Sequence, residues 1–182
     1  GLGNVVFTSG STIDSQDGFV DGTLTTGTER NNFVLDAGDG RVTFNANIGT
    51  TQRLGTFTIE RAQDGLVFGA DDTASTGGSG PVTAISTDGA IDFGAGVAAA
   101  SDADAVISDA TFNDGSGVGI VLNGAANELV IQTSDDNIRF NGATHLQSDV
   151  RIDTDEGAAN AGTVGLGNVV FTSGSTIDSQ DG

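Results

Sequence analysis

A short apolar pattern recurs along this chain and favours strands over helices. An apolar residue is followed two positions later by a bulky apolar one, and no run of ten or more residues shows the apolar spacing of three and four that helices need. This alternation places both apolar side chains on one face of a strand, while the residue between them, such as Thr43, Asp92 or Arg139, faces water. The six pairs are Val5/Phe7, Val42/Phe44, Leu66/Phe68, Ile91/Phe93, Ile120/Leu122 and Ile138/Phe140.

Most of these predicted strands follow a second strand, from which turn-forming residues separate them. Residues such as Gly38-Asp39-Gly40 and Asp64-Gly65 tolerate the left-handed backbone of a sharp turn. The result is six strand–turn–strand modules of about 27 residues each, within the size range of stacked repeats. We expect the six pairs to lie above one another, one per coil, as a structural core ladder. The upstream strands are predicted at Phe33/Leu35, Phe57/Ile59, Ala84/Ile85, Leu129/Ile131 and Val150/Ile152.

The two ends of the chain carry the same sequence. Residues 1–18 and residues 165–182 both read GLGNVVFTSGSTIDSQDG, at an offset of 164 residues. Because drift would have eroded an old duplication, we expect a parent protein built from near-perfect repeats of this length. Residues 1–164 are then one full repeat unit of about six β-coils, and residues 165–182 begin the next identical repeat, stacked head to tail in the same chain.

An all-β, right-handed parallel β-solenoid (β-helix) accounts best for these periods. A sandwich of immunoglobulin type uses about 100 residues per unit, and a propeller uses four strands per blade. Parallel connections are strongly biased towards the right hand. Six coils spaced about 4.8 Å apart predict a rise of about 29 Å per repeat. We expect neighbouring repeats to cover the strand edges that would otherwise stay open at each end.

The charge balance excludes several classes of partner. The chain has 25 acidic residues against six basic ones, a formal net charge of −19. Nucleic-acid binding needs a basic stripe, and anionic membrane surfaces repel acidic chains, so neither partner is expected. No stretch approaches the roughly 18 apolar residues of a membrane span, so no membrane insertion of this segment is expected. An acidic surface instead keeps long filaments hydrated and apart.

The sequence predicts no catalytic residues. His145 is the only histidine, and no nucleophile elbow accompanies it. Parallel β-helix enzymes that cleave acidic polysaccharides use clustered carboxylates with Lys or Arg. The local counterpart here is Asp153, Asp155 and Glu156 near Arg151. We interpret that cluster as a solvated acidic edge rather than an active site.

Calcium is the only cofactor that the sequence leaves open. A glycine-rich calcium repeat begins at Gly77 but lacks its aspartate, and no EF-hand loop is present. The acidic pairs Asp71-Asp72 and Asp135-Asp136 are weak candidates for loosely bound Ca²⁺ or for cation bridges between neighbouring fibres. We therefore predict no specific metal site and no other cofactor.

Two stretches carry a resemblance to a known class of proteins. GRVTFNANIGTTQRLGTFTIERAQDGLVFGAD (residues 40–71) and NELVIQTSDDNIRFNGA (residues 127–143) resemble the β-strand repeats of filamentous-haemagglutinin-like and autotransporter-type bacterial adhesins. In those repeats, units of the form G-x-V-x-F-x-x-x-(V/I)-G precede L-x-x-x-x-I. The resemblance covers nearly the whole chain. It implies export to the bacterial cell surface, a right-handed β-helical rod, and roles in adhesion, biofilm or surface filaments.

Three functions stay open on the sequence alone. The long uniform period favours a passive extracellular fibre, such as a filament, sheath, stalk or biofilm matrix, with lateral association between fibres. In the second, the chain is an adhesin segment whose loops 19–30 and 71–80 bind glycan or a partner cell. In the third, it is a β-helix enzyme that acts on polysaccharide.

Overall fold

The computed structural model of this chain consists of short strands joined by turns. In the part of the chain that the structure describes there is no helix, and so no helix long and apolar enough to cross a membrane. The structure describes residues 3–16, 19–20, 23–24, 30–69, 82–93, 119–134, 136–154, 167–172 and 175–179. The strands are β1 (Val5–Phe7), β2 (Phe19–Val20), β3 (Thr23–Leu24), β4 (Phe33–Asp36), β5 (Val42–Phe44), β6 (Phe57–Arg61), β7 (Leu66–Phe68), β8 (Ala84–Ser86), β9 (Ile91–Phe93), β10 (Ile120–Leu122), β11 (Leu129–Gln132), β12 (Ile138–Phe140), β13 (Thr144–Leu146), β14 (Val150–Asp153), β15 (Val169–Phe171) and β16 (Ile177–Ser179).

Fourteen of these strands form three parallel sheets. The first sheet has the order β1-β5-β7-β10-β13-β16, the second β8-β11-β14, and the third β4-β6-β9-β12-β15. The remaining two strands, β2 and β3, pair antiparallel with each other. The predicted all-β class with parallel strands is therefore confirmed.

The chain visits the three sheets in a fixed order, first, second, third and then first again, and we call each such passage a circuit. Early in the chain the second sheet is continued by isolated parallel bridges, from Ile13 to Ile48 and from Ile48 to Ile85. The shortest circuits are 24 residues long, as the pairing of Val42 with Leu66 shows. Longer circuits carry their extra residues between strands, so the pairing in each sheet is preserved.

Glycine and aspartate build the turns that return the chain from the third sheet to the first. After β4, the backbone N–H of Gly38 donates to the Asp36 carboxylate at 2.7 Å, and Gly40 N–H donates to the carbonyl of Ala37 at 3.0 Å. Gly38 has φ +58°, which a glycine adopts without strain. The turn lies where the sequence predicts it.

The core lies between the three sheets and is lined by the inward-facing residues of each. In the second sheet, five isoleucines follow one another from circuit to circuit, through direct register pairs. Burial of this apolar surface stabilises the fold by roughly 25 cal/mol per Å² removed from water. These isoleucines are Ile13, Ile48, Ile85, Ile131 and Ile152.

The residues predicted as one core ladder are divided between two sheets. The alternating pattern identifies a strand and its inward face, but it does not specify which of three equivalent sheets the strand joins. The first-sheet residues are Val5, Phe7, Val42, Phe44, Leu66, Phe68, Ile120 and Leu122, and the third-sheet residues are Ile91, Phe93, Ile138 and Phe140.

The coil count also differs from the expected six per repeat. From β1 the chain makes four complete circuits to reach β13, and it then passes through the second sheet to β15 in the third. The 164 residues from Val5 to Val169 therefore span four and two-thirds circuits. The expectation counted each strand–turn–strand module as one coil, whereas a circuit contains three strand positions.

The phenylalanine rings form one continuous column although their strands belong to two sheets. Within the first sheet, Phe44 and Phe68 stack with ring centroids 5.2 Å apart and planes 9° from parallel. The column then passes to the third sheet through Phe68 and Phe93, whose centroids lie 5.3 Å apart. Such ring pairs stabilise beyond the area that they bury. The column runs through Phe7, Phe44, Phe68, Phe93, Phe140 and Phe171.

The outer face of the first sheet is covered at its centre. Val67 and Val121 alternate with inward-facing neighbours and so point outward, yet they are 0% and 6% exposed. They break the polar outward pattern set by Thr43 on the neighbouring strand. Their burial explains why valine occupies both positions.

Candidate functional site at the two sheet edges

The three parallel sheets share two open edges, one at each end of the stack of circuits. At the first edge, β1, β4 and Ile13 each have a sheet neighbour on one side only. At the second edge, the same holds for β16, β15 and β14. Each sheet therefore begins at one edge and ends at the other.

Interior positions are uncovered at the second edge. Val169 is in register with buried Ile138, and Ile177 is in register with buried Thr144, so both side chains continue inward-facing rows. They are nevertheless 42% and 52% exposed. Since every strand inside the stack buries these positions, the exposure marks a place where a further strand would fit.

The first edge shows the same incomplete burial. Val5, Phe7, Phe33 and Leu35 pack against the core but are only partly buried. Phe7 stacks on Phe44 at 4.8 Å. An additional circuit on this edge would bury the apolar surface that these four residues still expose.

The backbone at both edges adds to this tendency. An edge strand presents unpaired N–H and C=O groups, which template the addition of another strand. On β4 the outward-facing Val34 is 56% exposed, so this edge carries no charged side chain at that position to repel a partner. Extended backbone and uncovered apolar rows together suit the addition of strands in parallel.

The arginines are engaged within the chain. Each of the six lies beside at least one carboxylate, and Asp88 receives two of them, Arg30 and Arg53. With its cations paired, the chain presents the excess negative charge of the remaining acidic residues. The other pairs are Arg41–Asp64, Arg61–Asp36, Arg139–Asp92, Arg151–Glu128 and Arg151–Asp153.

The candidate catalytic residues do not assemble into a catalytic geometry. His145 lies on β13, in register with Val121 on one side and Asp178 on the other. Its Nδ1 is buried and makes no hydrogen bond. Asp153 accepts a hydrogen bond from Arg151 at 2.7 Å, while Asp155 and Glu156 lie outside the described residues.

Most of the calcium candidates and both predicted binding loops escape description. Asp71, Asp72 and Asp135 lie outside the described residues, and Asp136 is exposed, with its backbone carbonyl accepting a hydrogen bond from Thr133 at 2.7 Å. Among the described residues, no three His, Cys, Asp or Glu side chains converge on a common point that would hold a metal ion. Loop 71–80 lies outside the described residues, as does most of loop 19–30.

Two shallow grooves mark the polar surface. One, of about 440 Å³, is lined by residues 49–53 together with Arg30, Ser86 and Gln132. The other, of about 500 Å³, reaches the second edge between Arg139 and Val170. In each groove the arginines already contact carboxylates, which disfavours recognition of an anionic ligand there.

Comparisons with protein-family models, with curated proteins and with solved structures found no match to this chain. The adhesin resemblance of residues 40–71 and 127–143 therefore stays a prediction. The geometry of the two sheet edges is what supports a functional interpretation.

Proposed function

We propose that this chain is a repeat segment of a long extracellular fibre in which identical repeats stack head to tail. The observation that carries this proposal is the pair of open edges, where inward-facing residues such as Val169 and Ile177 lack the next circuit. The repeated 18-residue sequence at the two chain ends supplies the natural occupant, a further copy of the same repeat.

The finer architecture that we propose is a right-handed β-solenoid. The fixed order in which the chain visits three parallel sheets supports a solenoid, because each sheet then forms one face of a continuous coil. Parallel crossover connections are right-handed in nearly all proteins, which supports the hand.

The two edges also match each other sheet by sheet. In the first sheet, the inward positions Ile177 and Ser179 would receive Val5 and Phe7 of a following chain. The third and second sheets offer equivalent pairs of terminal positions. Stacking would bury the apolar rows at both edges without altering either sheet, so separate chains can also associate end to end.

The surface suits an exposed filament. The net charge of −19 would keep neighbouring fibres hydrated and apart, while the internal pairing of arginines leaves the fold itself little affected by that charge. We place the fibre at a bacterial cell surface or in the extracellular matrix, following the resemblance of its strand repeats.

Electron microscopy of tandem proteins with one, two and four 164-residue repeats tests this function. Four and two-thirds circuits at about 4.8 Å each give about 22 Å of added rod length per repeat. We expect rods of constant width whose length grows by that increment, with the one-repeat protein as the reference. Compact beads joined by thin links would contradict the proposal.

A further inference from the structure

The same 18-residue sequence occupies different sheets at the two ends of the chain. In the first copy, Val5–Phe7 lies in the first sheet beside β5, and Ile13 bridges to the second. In the second copy, Val169–Phe171 lies in the third sheet beside β12, and the counterpart of Ile13, Ile177, lies in the first. The second copy is therefore displaced by one sheet from the first.

The local structure of the two copies is nevertheless the same. In the first copy, Ser11 N–H donates to the carbonyl of Thr8 at 2.8 Å, and in the second Ser175 N–H donates to that of Thr172 at 3.0 Å. The aromatic contact is also reproduced, since Phe7–Phe44 and Phe140–Phe171 stack at 4.8 and 4.9 Å with planes within 9° of parallel. The segment thus serves equally well in either sheet.

The displacement follows from the number of strand positions in one repeat. Before β15, the chain occupies fourteen positions in the three sheets, and fourteen is not a multiple of three. Direct pairing of Ile120 with Leu66, and of Ile138 with Ile91, leaves no room for another strand between those circuits. The positions are β1, Ile13, β4, β5, Ile48, β6, β7, β8, β9, β10, β11, β12, β13 and β14.

We infer that successive repeats of the fibre are rotated by one-third of a circuit, so that the structure recurs only after three repeats. This inference rests on the proposed fibre function. Three repeats complete fourteen circuits, which corresponds to an axial period of about 67 Å at about 4.8 Å per circuit. A repeat of five circuits would instead recur in phase at about 24 Å.

The rotation gives the fibre three equivalent sides. Strand β9 lies in the third sheet of the first repeat, and its counterparts lie in the second sheet of the next repeat and the first sheet of the one after. Residues 94–118, which follow β9 in the sequence, therefore depart from a different side in each successive repeat. Contacts made through such segments would surround the fibre, and lateral partners of the same kind would approach from three directions.

Engineered disulfides test the displacement directly, because the natural chain contains no cysteine. Adjacent parallel strands place outward residues in register within the Cα separation of a disulfide. Arg139 faces Val170 in the third sheet, and His145 faces Asp178 in the first. We expect both Arg139→Cys/Val170→Cys and His145→Cys/Asp178→Cys to lose their free thiols under mild oxidation.

The matched control is His145→Cys/Val170→Cys. If the second copy repeated the placement of the first, Val170 would join the first sheet beside His145, and this control pair would cross-link instead. Cross-linking of the control, or none in the two test pairs, would overturn the inference. In four-repeat tandem proteins, cryo-electron microscopy should show a period of about 67 Å; rods with an in-phase period would refute the rotation alone, whereas a lack of rods would refute the fibre function.

Discussion

Arg139 grips Asp92 across neighbouring strands of the third sheet with two parallel hydrogen bonds. Nε donates to Oδ1 at 2.8 Å and Nη2 donates to Oδ2 at 2.9 Å, between residues that are direct register partners on β12 and β9. The two side chains are 23% and 27% exposed. A bidentate pair in this position favours one pairing register over its neighbours.

We expect Arg139→Ala to lower the free energy of unfolding by about 1 kcal/mol, because the partly shielded bidentate pair is lost. A double-mutant cycle with Asp92→Ala, measured by urea denaturation, isolates the pair's own contribution. The matched control is Arg61 with Asp36, a 3.3 Å pair in which both side chains are 46% exposed. A coupling as large for the control pair would contradict the assigned role of shielding.

Replacement of Phe44 by alanine should cost about 4 kcal/mol of unfolding free energy, since a fully buried ring is removed and a cavity is left. The ring contacts Phe7 and Phe68 in its own sheet and Phe57 in the third sheet. As a control, Val34→Ala at a 56% exposed position should change stability by less than about 0.5 kcal/mol. Chemical denaturation of both variants measures the difference, and equal effects would argue against the aromatic column.

Gly69→Ala should destabilise the chain by about 2 kcal/mol or more through backbone strain and a steric clash. Gly69 has φ +87°, and an added Cβ would lie 1.9 Å from the carbonyl oxygen of Asn123 in the next circuit. Gly10 has no heavy atom within 4 Å of an added Cβ, so Gly10→Ala is the matched control. The thermal midpoints of the two variants should separate clearly, and a harmless Gly69→Ala would mean that these circuits are packed less closely.

Ile177→Asn should weaken end-to-end association of separate chains by about tenfold, because burial of its exposed half contributes about 1.4 kcal/mol to stacking. Analytical ultracentrifugation over a range of concentrations measures the effect. Asp178→Asn introduces the same residue on the outward face of the same strand and should leave association largely unchanged. If both substitutions acted alike, the contact would not involve the inward row of β16.

The sequence predicted individual strands better than their neighbours. Alternating pairs such as Val42/Phe44 identify a strand and its buried face because side chains alternate along any strand. Ile13 and Ile48 escaped prediction, since each is a lone apolar residue among polar ones and shows no alternation. Only their pairing across circuits reveals that they continue the isoleucine row of the second sheet.

The candidate site was predicted in outline and located by the fold. The matching chain ends led us to expect open edges covered by neighbouring repeats. Which residues form those edges depends on where each strand lies in the stack, so Val169 and Ile177 could not be distinguished from Val5 and Ile13 by sequence.

The repeated 18-residue segment shows what the sequence alone determines and what it leaves to the tertiary structure. Its strand and its turn are the same in both copies, because alternation, glycine and the Thr–Ser hydrogen bonds act within a few residues. Its sheet is different, because that depends on how many strand positions precede it in the stack. The sequence therefore determines the unit that repeats, whereas the packing of each circuit on the last determines the direction that the unit faces.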